Sequence, residues 1–346
     1  MHDAAATACR RGAWTPFCSG GIIRDLTFLR MHNVATPLSS REEGRTYWLV
    51  LVVGFAVLAL AVMWLRWGGT IEDSQAYFDT ARYLRGEIPL EQLRAPFPYR
   101  LLVPAVAAAL PGDLRNGFAT LNWLLVVAGA CFMAAAVSRA GLSRRRAVAA
   151  GLLMIVSFPT FWYAPYLLVD PGSVCARAAF VLAVLSGQPW LAAVAGLAGT
   201  AVREENILLL VWLVATRRIA VLPGLAFVAA AGGWLVAVRW WLIAGLPSYT
   251  WVPSWDRVHA AVRDVRSLAS LAATACVVVP LAIVGWRAAP PRLRPLTTLL
   301  LLMALPQCYA ALSVRVEGRL IWGLFPFLVP FAVCTGLPRR TPSHSV

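Results

Sequence analysis

Ionisable residues stand at the ends of long apolar runs in this chain, and their types suit the transfer of a group from a phosphate ester. The stretch GGTIEDSQAYFDTARYLRGE, starting at Gly68, places Glu72 and Asp73 just after an apolar run. A carboxylate so placed can take the proton of an attacking hydroxyl. FWYAPYLLVDPGS leaves Asp170 before a proline, TAVREENILLL holds Arg203, Glu204 and Glu205, and SVRVEGR holds Arg315, Glu317 and Arg319. Arginine stays charged, and its planar fork matches the oxygens of a departing phosphate. Ionisable groups this close to hydrocarbon are costly, so by default they face a bundle interior or a water-filled cavity.

Each of these residues also has a structural reading. Asp73 can cap a helix, since aspartate is favoured there. Asp79 and Arg82 can form an ordinary i, i+3 pair. Glu204 or Glu205 can be a solvated turn residue, and Arg319 can snorkel to headgroups. Trp251 and Trp255 can anchor an interface or stack on a sugar ring. What favours a site is convergence, because four separate segments place charge on one face at one depth.

The elements that must position these residues follow from composition. Of 346 residues, 60% are hydrophobic and 14% charged, with mean hydropathy +0.69. A soluble domain is usually about 45–50% apolar and about 25% charged. A soluble globule and extended disorder are both excluded, and the fold class implied is all-α, a polytopic transmembrane helical bundle. The first span runs from Tyr47 to Trp67, with Trp48, Trp64 and Trp67 at its ends. Further spans read at 117–138, 147–166, 173–187, 189–202, 205–216, 219–243, 267–286, 296–312 and 319–336, about ten in all.

All 31 basic residues are arginine, and the formal net charge is +15. Positive charge scattered between apolar spans sets orientation and argues against nucleic acid as a partner. With the N-terminus inside, Arg41, Arg45, Arg139, Arg144–Arg146, Arg217, Arg218, Arg287, Arg292, Arg294, Arg339 and Arg340 all fall on the inner face. Most acids, from Glu72 to Glu317, then fall on the outer face. The expectation is an inner cell membrane protein with both termini cytoplasmic. Residues 1–46 read as a disordered cytoplasmic tail (with Met31 as an alternative start), 47–336 as the membrane domain and 337–346 as a second cytoplasmic tail.

The largest outer loop carries its own signals. From Asp73 it reads as an amphipathic interfacial helix, with Tyr77, Ala81 and Leu84 on one face and Gly86 placed to end it. Gln75, Asp79 and Arg82 lie on the other face. Asp73 has no basic residue at i+3 or i+4, which leaves its carboxylate free of local pairing. APFPYRLLVPAVAAALPGD follows and reads as a half-helix or re-entrant piece. The seven cysteines show no CxxC or metal-ligand spacing, so neither structural zinc nor a disulfide framework is expected.

Several of these segments resemble the GT-C superfamily of membrane glycosyltransferases. Asp73-x3-Tyr77-x3-Ala81 with Gly86 follows the first span, as the acidic catalytic loop does in that superfamily. PFPYRLLVPAVAAAL, TAVREENILLL and VEGRLIWGLFPFLVPF are similar to its later motifs, so the resemblance runs over about residues 47–336. It implies a polyprenyl-phosphate sugar donor, a glycan or lipid acceptor, and contact with membrane lipids. It makes Asp73 the candidate general base, with Glu72 beside it, and makes Arg203, Arg315 and Arg319 candidates for the donor phosphate. Tyr77, Arg100, Asp170, Glu204, Glu205 and Glu317 complete the expected substrate site. The first loop lacks a clear DxD, so no metal and no cofactor are implied. The main alternative is a transporter or lipid flippase. Transporters usually place an acid near mid-membrane, whereas here none of the sixteen acids falls centrally in an expected span and the deepest basic candidate is Arg177. A non-catalytic membrane scaffold is the third reading.

Overall fold

The computed structural model describes residues 38–71, 73–247 and 252–337, with side chains from Gly44 onward. By compactness the chain divides into Met1–Trp48 and Leu49–Val346. The packing below is that of the second unit. Every regular element among the described residues is a helix.

The first helix, α1 (Leu38–Met63), buries Leu51, Phe55, Ala59 and Met63 at four-residue spacing. Leu49, Val50, Val53 and Val57 are each more than half exposed. A helix apolar on every side is stable only inside a core or in lipid. Next come α2 (Asp73–Leu84) and the eight-residue α3 (Leu102–Ala109), packed on one another.

The centre is made by α4 (Leu114–Arg139), α5 (Arg144–Ile155) and α7 (Asp170–Leu185), with the short α6 (Phe158–Trp162) between the last two. Small residues let them approach. Gly129 of α4 faces Cys175 of α7, and Gly151 of α5 leaves room for the Phe55 ring. Close packing of small residues drives association where lipid tails are as apolar as the side chains.

The chain continues through α8 (Pro189–Val202), α9 (Ile207–Ala215) and α10 (Val221–Ala237), which runs into a turn of π-helix at Val238–Leu242. Then α11 (Trp255–Arg263) leads through Asp264 into α12 (Val265–Trp286). The last elements are α13 (Pro295–Ser313), α14 (Gly318–Trp322) and α15 (Phe325–Ala332), the final two packed against α12.

Among the described residues, five helices are long and apolar enough to cross a membrane: Gly44–Arg66, Leu114–Arg139, Val221–Leu242, Val265–Trp286 and Pro291–Ser313. They correspond to five of the expected spans. The other expected spans are shorter or broken. At 1.5 Å per residue, the nine-residue α9 is about 14 Å long. The 147–166 segment ends its first helix at Ile155 and restarts as α6, with Pro159 in the new first turn. The 319–336 segment is divided into α14 and α15 in the same way, with Pro326 at the restart. Proline lacks an N–H and is favoured in the first turn of a helix, and both restarts place one there.

The segment after the first expected span is helical as α2, but its buried face is only in part the expected one. Ser74, Ala76, Tyr77, Thr80 and Ala81 are buried, whereas Leu84 is 39% exposed. Leu84 lies in the last turn, where the chain leaves the packed face and reverses. Gly86, at φ +74°, makes that reversal and donates to the Tyr83 carbonyl at 2.8 Å.

Candidate functional site

The charged segments singled out in the sequence meet. α2 starts from a turn in which the Ser74 hydroxyl accepts from Ile71 N–H at 2.6 Å and donates to the Ile71 carbonyl at 2.8 Å. This places Asp73 at the helix start, where its Oδ2 accepts from Arg319 Nη2 at 2.8 Å. Arg94 Nη2 lies 4.0 Å from Oδ1. The carboxylate that lacks a local partner in sequence is therefore paired from 246 residues away.

Arg319 is the hub. Its Nε donates to Glu317 Oε1, and its Nη1 stands 3.8 Å from Asp170 Oδ2. Asp170, almost fully buried at the start of α7, accepts from Arg203 Nη1 at 2.5 Å. Arg203 Nε lies 2.8 Å from Glu205 Oε1, which also accepts from Arg177 Nη2 at 3.0 Å. A continuous row thus runs Asp73, Arg319, Asp170, Arg203, Glu205, Arg177. Arg319 does not snorkel outward.

Beside this row Arg100 donates from Nε and Nη2 to the two oxygens of Glu204, each at 3.0 Å, and from Nη1 to the Tyr77 hydroxyl at 2.7 Å. Tyr77 is buried, with Phe97 edge-on at 5.4 Å. Burial raises the Tyr77 phenol above its ordinary value, despite the opposing pull of Arg100. Burial alone would also raise the Glu204 carboxyl, but the Arg100 guanidinium overrides it and holds that group at about 2. For Arg100 the balance is similar: burial favours the neutral form, but Glu204 prevails and strengthens the proton's hold.

Two cavities adjoin the row. One of about 300 Å³ is lined by Arg100, Arg203, Glu204, Glu205 and Arg239 together with Gln307. The other, about 630 Å³, is lined by Glu317, Arg315 and Tyr163 among others. Glu317, bonded to Arg319 of the row, lines the wider cavity, and Arg203 and Glu205 of the row line the other. Five carboxylates (Asp73, Asp170, Glu204, Glu205 and Glu317) balance five guanidiniums (Arg94, Arg100, Arg177, Arg203 and Arg319). The arginines are held in place by carboxylates before any ligand arrives.

Of the expected site residues, Asp73, Tyr77, Arg100, Asp170, Arg203, Glu204, Glu205, Glu317 and Arg319 fall in this assembly, and Arg315 lines the wider cavity beside it. Glu72 and Trp251 lie outside the described residues. Trp255 is exposed on α11. Asp79 is explained by its neighbours, accepting from Gln75 at 2.9 Å and lying 3.5 Å from Arg82.

Sequence reasoning noted Arg177 only as a transport candidate and did not place it in the site. Its guanidinium is buried, donating to Asn206 at 2.7 Å and to the Gly323 carbonyl at 2.8 Å. Asn206 in turn donates to Ser173 at 3.0 Å. The signal was present: Asp170, Ser173 and Arg177 share one face of α7 at i, i+3, i+7. Among the described residues, no group of three or more His, Cys, Asp or Glu stands where it could hold a metal ion. Compared with protein-family models, curated proteins and solved structures, the chain matches none.

Proposed function

We propose that this chain is a membrane glycosyltransferase of the GT-C kind, moving a sugar from a polyprenyl-phosphate donor to an acceptor hydroxyl. The observation that carries the reading is the 2.8 Å pairing of Asp73 with Arg319 inside a row that also takes in Asp170 and Arg203. A base and several guanidiniums are what such a transfer requires in one place. In the proposed step the acceptor oxygen bonds to the sugar's anomeric carbon as the bond from that carbon to the phosphate oxygen breaks. The acceptor proton goes to Asp73, and the lipid phosphate leaves with the bonding electron pair, facing arginine.

Two cavities beside the row, one lined by Glu317 and the other by Arg203 and Glu205, suit a reaction with two substrates. The same reading takes α2 as an interfacial helix on the outer face of an inner membrane, with both chain termini cytoplasmic. It takes α7, α8 and α9 as spans surrounded by neighbouring helices rather than lipid, which tolerate short lengths.

The test compares envelope glycolipids and glycans by mass spectrometry in a deletion strain complemented with wild type or Asp73→Asn. Loss of one sugar-sized mass increment in both the deletion and the Asp73→Asn strain is the expected result. Unchanged glycans in the deletion strain would remove the reading. A second reading, transport, is favoured by one observation, the buried Arg177 that extends the row inward from the cavities. Proteoliposomes that accumulate a solute or move a fluorescent lipid between leaflets, with Arg177→Gln abolishing movement, would select it.

A further inference from the structure

The wider cavity has a graded lining. Arg266 and Arg315 are exposed at its mouth. Phe158 and Trp162 form a wall, their rings stacked at 5.6 Å and 14°. The Arg66 guanidinium sits 3.6 Å from the centre of the Trp162 ring and holds it in place. Deeper lie Glu317, 15% exposed, and the buried Tyr163, whose hydroxyl is fixed 2.9 Å from Ser270.

At about 630 Å³ the cavity is of ordinary small-molecule size. Its charged lining, Arg266 and Arg315 against Glu317, sums to one positive charge. Aromatic faces stack on the apolar face of a sugar ring, arginines at a solvated mouth take an acidic group, and a deep carboxylate accepts from hydroxyls. An uncharged sugar gains nothing from the positive lining, and a hydrocarbon tail would desolvate the charged and polar groups of the cavity without replacing their water.

We propose that this cavity binds a carbohydrate bearing a carboxylate or phosphate. The ring lies against Phe158, which Trp162 and Arg66 back from behind, the acid at Arg266 and Arg315, and a hydroxyl faces Glu317. Because Glu317 is bonded to Arg319, which holds Asp73, the bound hydroxyl is brought to the row of ion pairs. Naming this sugar as the acceptor rests on the transfer reading above; its binding does not.

The purified full chain in nanodiscs is titrated with glucuronic acid, glucose 6-phosphate and glucose, followed by saturation-transfer NMR without donor. Saturable binding is expected for at least one acidic sugar, about tenfold tighter than for glucose. If both acids bind, the carboxylate and phosphate sources share the site; if one does, it identifies the source. Arg266→Gln, on an exposed side chain, should remove the preference, and Phe158→Ala should weaken all three sugars. Equal binding of acid and neutral sugar, no saturable binding of either acid, or a preference that survives Arg266→Gln would overturn the proposal. Binding that persists where glycan analysis finds no transfer would instead count against the transfer reading alone.

Discussion

Asp73 and Asp79 lie six residues apart on α2, and their partners separate their roles. Asp79 is held by Gln75 and Arg82 of its own helix, a surface arrangement worth little. Asp73 is held by Arg319 from the far end of the chain. Asparagine at position 73 keeps an oxygen to accept from Arg319 and caps a helix as well as aspartate does, so the protein should fold. It cannot take a proton, and glycosyl transfer should fall by about 10²–10⁴-fold. Asp79→Asn should retain most activity in the same assay.

Glu204 gives a pH signature. Its folded-state carboxyl is held at about 2, below the ordinary 4.5, chiefly because Arg100 outweighs the cost of burial. A depressed carboxylate contributes stability that is present above its unfolded value and lost as pH falls through the folded one. The melting temperature of wild type in detergent should therefore fall as pH drops from about 4.5 toward 2. Glu204→Gln should start lower at neutral pH and change less across that window.

Among the elements, the approach of α14 to α12 decides where Arg319 stands. Gly318 donates its N–H to the Ser270 hydroxyl at 2.8 Å, and a Cβ at 318 would come within 2.6 Å of the Ser270 carbonyl and closer still to Thr274. Backbone cannot yield as a flexible side chain can, so Gly318→Ala must push α14 outward and carry Arg319 with it. The expected cost is about 1–3 kcal/mol, read as a lower melting temperature, together with reduced transfer. Gly232, on α10 with open space around it, serves as the control. There alanine should leave stability unchanged or raise it, since glycine is the poorer helix former by about 1 kcal/mol.

For the whole molecule the arginine distribution makes a claim about sidedness. In a background with native cysteines replaced by serine, an impermeant maleimide should label Gln92→Cys and Ala260→Cys on intact cells. Ser143→Cys and Arg292→Cys should react only after lysis. All four positions are exposed, so failure to react reports sidedness rather than burial. The reverse pattern would put the row of ion pairs on the cytoplasmic side and withdraw an outer-face reaction.

Composition and the length of the apolar runs pointed to a helical bundle, and every regular element among the described residues is a helix, with five helices long and apolar enough to cross a membrane. Those five correspond to five of the ten runs. The remaining boundaries were not legible. In 147–166 and 319–336 hydropathy runs on across the break, and the prolines that start the second helices, Pro159 and Pro326, were not read as boundaries. The types of residue in the site could be read too, since charge at a membrane boundary must be accounted for locally. Pairing could not be read. Asp73 with Arg319, Asp170 with Arg203 and Arg177 with Asn206 join residues far apart in sequence, and a side chain's partner is fixed by which helices pack together. That packing also decided that the arginines arrive already balanced by carboxylates, a property that belongs to the assembled bundle and to no segment of it.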